Sequence, residues 1–139
     1  NIEGSLIIDN NNTLSSINSF KSLKKIKLSF VLNKCNEIID FSNFESLEEI
    51  SGNFFITSND KLLNFSGLGK LLKAGENLKI RDNPSLIDMS GLNNLNYVAN
   101  TLEVHNNANT SLTGLESLER IGGFLGISNS PFITSLAAL

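Results

Sequence analysis

The sequence has little of several residue types on which common functions depend. Its 139 residues include one cysteine, one histidine, two prolines and no tryptophan. One cysteine excludes a disulfide framework and a zinc site built from several cysteines. One histidine excludes a metal site with several histidine ligands. No apolar run approaches the roughly 18 residues that a membrane-spanning helix needs.

Charge is also scarce. Charged residues make up 18% of the chain, and the net charge is −3, whereas an average soluble domain has about 25% charged residues. A slightly acidic chain without a basic stretch argues against a nucleic-acid partner and against an anionic membrane surface. Apolar residues reach 40%, which is ample for the core of a single domain of this length.

What the chain has instead is an internal repeat. The period is 24 residues four times and 23 residues once, and the missing residue falls between Asn107 and Leu112. Seven apolar columns recur with this period, and one slot, near Asn109-Thr110, is polar. The repeats start at Ile2, Ile26, Ile50, Ala74, Val98 and Ile121. A fixed period of this size predicts a repeat architecture in which each turn stacks on the next.

Two spacings occur within each repeat. The Leu-x-Ile step, as in Leu6 and Ile8, has a period of two and predicts a strand with one buried face. The later apolar positions, from Leu14 to Ile26, are three apart, which fits either a helical stripe or short strands that bend around corners. Helix formers are scarce there, and Asn, Ser and Gly are frequent. We therefore favour a β-solenoid coil with three short faces over a repeat of strand plus long helix.

One further column is polar and is predicted to lie inside the coil. A stacked asparagine can bond backbone groups of its own tight turn and of the neighbouring turn. Cysteine and serine are small enough for the same slot, so Cys35 is interpreted as a buried, inert thiol. The column consists of Asn11, Cys35, Asn59, Asn83, Asn107 and Ser130.

Charged residues one period apart support the same stacking. Lys25, Glu49 and Lys73 are each separated by 24 residues. If the turns stack, opposite charges lie on neighbouring strands about 4.8 Å apart.

The residues between the inward positions of each strand form the candidate binding face. Ile7, Val31 and Phe55 are predicted to make an exposed apolar stripe, which suggests a protein-binding patch. Strand propensity, or cover by a neighbouring domain, would account for the same pattern. The candidate ligand-binding residues are Ile7, Val31, Phe55, Lys79, Arg81, Glu103 and His105.

Residues with catalytic potential are few. Asp60 and Asp82 are predicted near one corner of successive turns, with Arg81 beside them, and this is the nearest approach to a carbohydrate-cleaving carboxylate pair. Solvation of the turn by aspartate accounts for them equally simply. His105 has no second base or nucleophile in its predicted surroundings. We expect no enzymatic activity, no catalytic residue, no cofactor and no metal.

The repeat resembles the receptor L-domain family, the leucine-rich-repeat-like solenoid of insulin- and EGF-receptor ectodomains and of microbial surface proteins. The resemblance is carried by the stretch from Gly114-Leu115 to Leu125-Gly-Ile127, with earlier copies from Gly67-Leu68 to Asn83 and from Gly91-Leu92 to Asn107. It implies a right-handed β-solenoid of nearly six turns with ligand contacts on its strand face. The chain departs from the receptors in lacking their capping cysteines.

These observations lead to one set of expectations. Residues 1–139 are predicted to form a single repeat domain, an excerpt without terminal caps, whose open ends are a further candidate surface for self-association. The expected function is non-enzymatic recognition or adhesion in a cell-surface or secreted protein, with a protein or glycan ligand and no insertion in a membrane. The alternative is a structural spacer repeat in a larger surface protein.

Overall fold

A computed structural model describes residues 1–17 and 19–139, and in these residues the regular secondary structure consists of eleven β-strands without a helix. Each repeat contributes one four-residue strand and one two-residue strand, apart from the first, whose short strand is replaced by a single bridge at Ile2. The long strands are β1 Leu6–Asp9, β3 Phe30–Asn33, β5 Phe54–Thr57, β7 Leu78–Arg81, β9 Leu102–His105 and β11 Leu125–Ser128. The short strands are β2 Lys25–Ile26, β4 Glu49–Ile50, β6 Lys73–Ala74, β8 Tyr97–Val98 and β10 Arg120–Ile121.

The strands form two parallel sheets, and the fold is a β-solenoid. One sheet has the order β1-β3-β5-β7-β9-β11, and the other has the order β2-β4-β6-β8-β10. Pairing follows the sequence period, because Val31 lies opposite Phe55 and Phe55 lies opposite Lys79. The mainly β solenoid predicted from the repeat is thus confirmed, with six long strands related by five chain periods.

The third side of the coil differs from the predicted short strand. It is built of tight turns, in which an Asp or Asn side chain accepts the N–H of the residue two positions later, as from Asp40 to Ser42 at 2.9 Å and from Asn64 to Ser66 at 3.0 Å. These bends leave no room for a regular strand. Successive turns are still joined by backbone bonds on this side, as from Leu63 N–H to Ile39 O at 3.0 Å.

The seven apolar columns form one continuous core. Phenylalanines dominate its first half, where Phe30 stacks on Phe54 with ring centroids 5.4 Å apart and Phe41 stacks on Phe65 at 5.5 Å. Aliphatic residues fill the same columns in later turns, and Leu78 and Leu102 are fully buried. Stacking like on like keeps every layer at the same thickness, so the strand spacing stays constant along the coil.

The polar column forms a ladder inside the corner after each long strand. The Oδ1 of Asn83 accepts the backbone N–H of Asn59 at 3.1 Å, and the Oδ1 of Asn107 accepts that of Asn83 at 3.0 Å. The Nδ2 of Asn83 donates to Ile56 O and to Arg81 O. This confirms the predicted bonding of each asparagine to its own turn and to its neighbours.

The two ends of the column differ from the prediction. Asn11 is exposed and Ser130 is half-buried, whereas Cys35 and the asparagines between them are buried. Asn11 and Ser130 still bond their own turns, through Asp9 O and Ser128 O. Their exposure follows from their place in the terminal turns, which have a neighbour on one side only.

The shortened period has a definite location. Asn107 still pairs 24 residues back, with Asn83, whereas Thr110 N–H bonds Ile87 O, 23 residues back. The missing residue therefore falls at positions 108–110. Asn109 occupies the apolar slot that the repeat leaves empty; it is fully buried, and its Nδ2 donates to Ser111 O at 2.9 Å.

The corner itself requires an unusual backbone conformation. The residue that follows each long strand has a positive φ between 48° and 57°, which Asn and Asp tolerate better than most residues. These residues are Asn10, Lys34, Ser58, Asp82, Asn106 and Asn129.

Candidate functional site

The outward face of the long sheet brings the predicted ligand-binding residues together. In β3, β5, β7 and β9 the first and third residues are buried, and the second and fourth point away from the core. The second residues form one column across the sheet, and the fourth residues form a parallel column beside it. We call this surface the strand face; its residues are Ile7, Val31, Phe55, Lys79, Arg81, Glu103 and His105.

The apolar half of the strand face is less exposed than the sequence suggests. Ile7, on the edge strand, has 64% of its surface exposed, but Val31 and Phe55 are half-buried. Each of the latter two has a strand on both sides, and the Nζ of Lys79 lies 5.7 Å from the ring centroid of Phe55. The predicted exposed stripe is therefore a shallow apolar surface that is open mainly at the Ile7 end.

The charged half is held together by one carboxylate. Glu103 lies 3.6 Å from the Nζ of Lys79 and 3.5 Å from the Nε of Arg81. These side chains are also half-buried. Because Glu103 fixes both cations, the Lys79 ammonium and the Arg81 guanidinium have defined positions beside the apolar half.

Hydrogen bonds order the fourth-residue column on both sides of Arg81. Asn33 donates to the Oδ1 of Asp9, and Thr57 donates to the Oδ1 of Asn33, both at 2.7 Å. His105 Nδ1 and Ser128 Oγ are 2.8 Å apart. The polar border of the face is thus fixed before any ligand arrives, which lowers the entropy cost of binding.

The short sheet carries the predicted charge pairs. Glu49 lies 2.8 Å from the Nζ of Lys25 and 3.8 Å from the Nζ of Lys73, which confirms that residues one period apart are neighbours. The hydrogen bond from Lys25, followed by one from Ser51, lowers the pKa of Glu49. This cluster lies away from the strand face and fixes the alignment of three turns.

A cavity lies at the corner that follows the long strands. Asp60 and Asp82, which the sequence placed near one corner, both line this cavity of about 450 Å³. We call it the corner cavity; its walls are Ser58, Asp60, Asp82, Pro84, Asn106, Asn107, Ala108, Pro131 and Phe132. Arg81, the expected neighbour of the two carboxylates, points instead to Glu103 on the strand face.

Cys35 occupies its predicted inner slot. Its thiol is fully buried and donates to Ile8 O at 3.5 Å and Asn33 O at 3.4 Å. Burial raises the pKa of the thiol. A buried thiol with a raised pKa is a poor nucleophile, because the thiolate is the reactive form.

A second apolar surface was not predicted from the sequence. Ile39, Leu63 and Ile87 lie on successive turns of the third side, with exposed fractions of 48%, 39% and 54%. Their signal in the sequence is one apolar residue immediately after the fourth inward column in three consecutive repeats. The signal is hidden because adjacent apolar residues do not fit a strand with alternating faces.

The described residues contain neither a cluster of three His, Cys, Asp or Glu side chains that could hold a metal ion nor a helix long and apolar enough to cross a membrane. Comparison of the chain with protein-family models, with curated proteins and with solved structures finds no match. Function is therefore inferred from the geometry of this chain and from the repeat pattern.

Proposed function

We propose that this solenoid is a non-enzymatic recognition module that binds a protein through its strand face, within a cell-surface or secreted protein. The observation that carries the proposal is the strand face itself: Val31 and Phe55 form an apolar surface beside the fixed charges of Lys79, Arg81 and Glu103. Apolar centres with ordered polar borders are typical of protein interfaces.

Two further features support this function. The parallel backbone pairing from β1 to β11 makes the face rigid, so its side chains are presented without a large ordering cost. The resemblance of the repeat to receptor L domains implies ligand contacts on the same strand face. In this proposal the apolar half anchors the partner, and Lys79, Arg81, Glu103 and His105 select it.

The test is a binding screen followed by a single substitution. The chain is screened against an array of extracellular protein domains, and binders are measured by biolayer interferometry with wild-type protein and with Phe55→Asp. A central aromatic anchor contributes about 2 kcal/mol or more, so we expect at least about a 30-fold loss of affinity. Far-UV circular dichroism should remain unchanged, because Phe55 lies outside the core.

The matched control is Ile87→Asp, which places the same charge on the third side of the coil. We expect it to leave binding unchanged. If Ile87→Asp abolishes binding and Phe55→Asp does not, the strand face is the wrong surface. If the array yields no binder, the alternative of a structural spacer repeat is favoured.

A further inference from the structure

The corner cavity is a second concave surface, and it shares no residue with the strand face. It lies where the chain leaves β5, β7 and β9, and the first residue of each corner, Ser58, Asp82 or Asn106, forms part of its wall. With about 450 Å³, it is large enough for a long side chain and part of its backbone.

The charge of the corner cavity is unbalanced. Asp60 and Asp82 are the ionisable side chains that line it. Elsewhere on the coil, Glu3, Glu37, Glu49 and Glu103 each have a cation within 4 Å, but in the part of the chain that the structure describes neither aspartate has one.

The cations nearest in sequence do not neutralise the cavity. Lys61 pairs with Glu37 at 2.7 Å, and Arg81 pairs with Glu103. Lys34, one turn before Ser58 at the same corner, is exposed and is not part of the cavity wall. Asp82 accepts a single hydrogen bond, from the Nδ2 of Asn106 at 2.8 Å.

The rest of the wall is apolar and suits a flat cation. Phe132, with 57% of its surface exposed, presents an aromatic ring, and Pro84, Ala108 and Pro131 add apolar surface. A guanidinium group stacks on aromatic rings, binds carboxylates with two parallel hydrogen bonds and has an apolar stem. We propose that the corner cavity binds an arginine side chain of a partner protein, with Asp60 and Asp82 as the anionic ligands and Phe132 as the stacking surface.

The proposal is tested by a nuclear magnetic resonance titration of the ¹⁵N-labelled chain. The probe is the peptide acetyl-Gly-Arg-Gly-amide, and the matched probe replaces arginine by citrulline, which is neutral and has nearly the same shape. We expect saturable shifts of the backbone amides of residues 58–60, 82, 106–108 and 132 with the arginine peptide. The citrulline peptide should bind at least about tenfold more weakly, because a charged partner roughly doubles the strength of a hydrogen bond to a carboxylate.

Substitutions locate the site. Asp60→Asn and Asp82→Asn should each weaken binding of the arginine peptide about three- to tenfold, as expected for the loss of one partly exposed charge contact. Both variants should fold normally. Asn at 82 still accepts the bond from Asn106 and tolerates the φ of 56° at this position.

Two control variants test whether binding is confined to the corner cavity. Glu76→Gln removes an exposed carboxylate outside the cavity, and Phe55→Asp alters the strand face; neither should change binding of the arginine peptide. Equal binding of the arginine and citrulline peptides, shifts spread over all surface carboxylates, or unchanged binding by Asp60→Asn would each overturn the proposal. Shifts of the cavity amides with glucose or mannose, but not with the arginine peptide, would identify a saccharide site instead and would also overturn it.

Discussion

The asparagine ladder gives the sharpest prediction, through replacement of Asn83 by alanine. The side chain is fully buried, and its Oδ1 is the acceptor for the backbone N–H of Asn59 at 3.1 Å. Its Nδ2 donates to Ile56 O at 3.1 Å and to Arg81 O at 2.9 Å. Alanine supplies neither the acceptor nor the donor, and no water can replace them in a closed corner.

The size of the effect follows from these contacts. Arg81 O keeps a second partner, the N–H of Ser58 at 3.0 Å, so its loss is small. The Asn59 N–H is left buried without its acceptor, which costs about 1–3 kcal/mol, and the lost donor to Ile56 O costs about 1 kcal/mol more. We expect Asn83→Ala to lower the free energy of unfolding by about 3 kcal/mol, a large part of the 5–15 kcal/mol typical of a domain.

Cys35 supplies the matched variants. Its thiol already donates to Ile8 O and Asn33 O, which correspond to Ile56 O and Arg81 O at the Asn83 corner. Asn83→Cys should therefore keep the donor, lose the acceptor and cost about 1–2 kcal/mol. The reverse change, Cys35→Asn, restores a full ladder residue and should be neutral or stabilising by up to about 1 kcal/mol.

The measurement is reversible urea unfolding followed by far-UV circular dichroism, because the chain has no tryptophan. The expected order of stability is Cys35→Asn, wild type, Asn83→Cys and Asn83→Ala. An Asn83→Ala variant within about 0.5 kcal/mol of wild type, less than one net hydrogen bond, would refute the structural role of the ladder. So would an Asn83→Cys variant less stable than Asn83→Ala.

Three further predictions concern the alignment and the tight corners. Lys25→Glu and Glu49→Lys should each cost about 1 kcal/mol or less in urea unfolding, and the double swap should recover part of this loss; strictly additive costs would contradict the pairing. Glu49 has a pKa below its usual value in the folded state, so its stabilisation is complete above about pH 4.3 and lost as the pH falls through the folded-state pKa. The stability gap between wild type and Glu49→Gln should therefore shrink in acid, and a constant gap would contradict this. Gly91→Ala should cost about 3 kcal/mol or more, because φ is 104° and a Cβ would collide with the backbone carbonyl oxygen of Phe65 in the turn before, whereas Gly69→Ala, with open space around it, should change the midpoint little.

Much of the fold can be predicted from the sequence because each inward column has one chemical requirement. Ile26 and Ile50 lie one period apart, must both be apolar and pair in the short sheet, as their spacing predicts. Asn59 and Asn83 share a corner that needs a side chain with a donor and an acceptor. The predicted positions of Phe55 and Lys79 on the strand face are equally secure, because alternation within a strand fixes which residues point outward.

The remaining features depend on geometry that a column pattern does not contain. The half-burial of Phe55 results from the reach of Lys79 across the neighbouring strand, and periodicity does not describe the reach of a side chain. The corner cavity depends on Phe132 in the last turn, where proline and phenylalanine replace the polar residues of earlier corners. The exposed residue Ile87 follows a buried leucine directly, which only the tight turn of the third side explains.

The asparagine ladder also has a direction along the chain. The side chain of Asn83 accepts the N–H of Asn59, and the side chain of Asn107 accepts the N–H of Asn83, so each corner is completed by a residue 24 positions later. During synthesis from the amino terminus, a turn therefore reaches its final hydrogen bonding only after the next turn has been made. Folding on the ribosome should follow translation with a delay of one repeat, and each new turn should close the corner of the one before it.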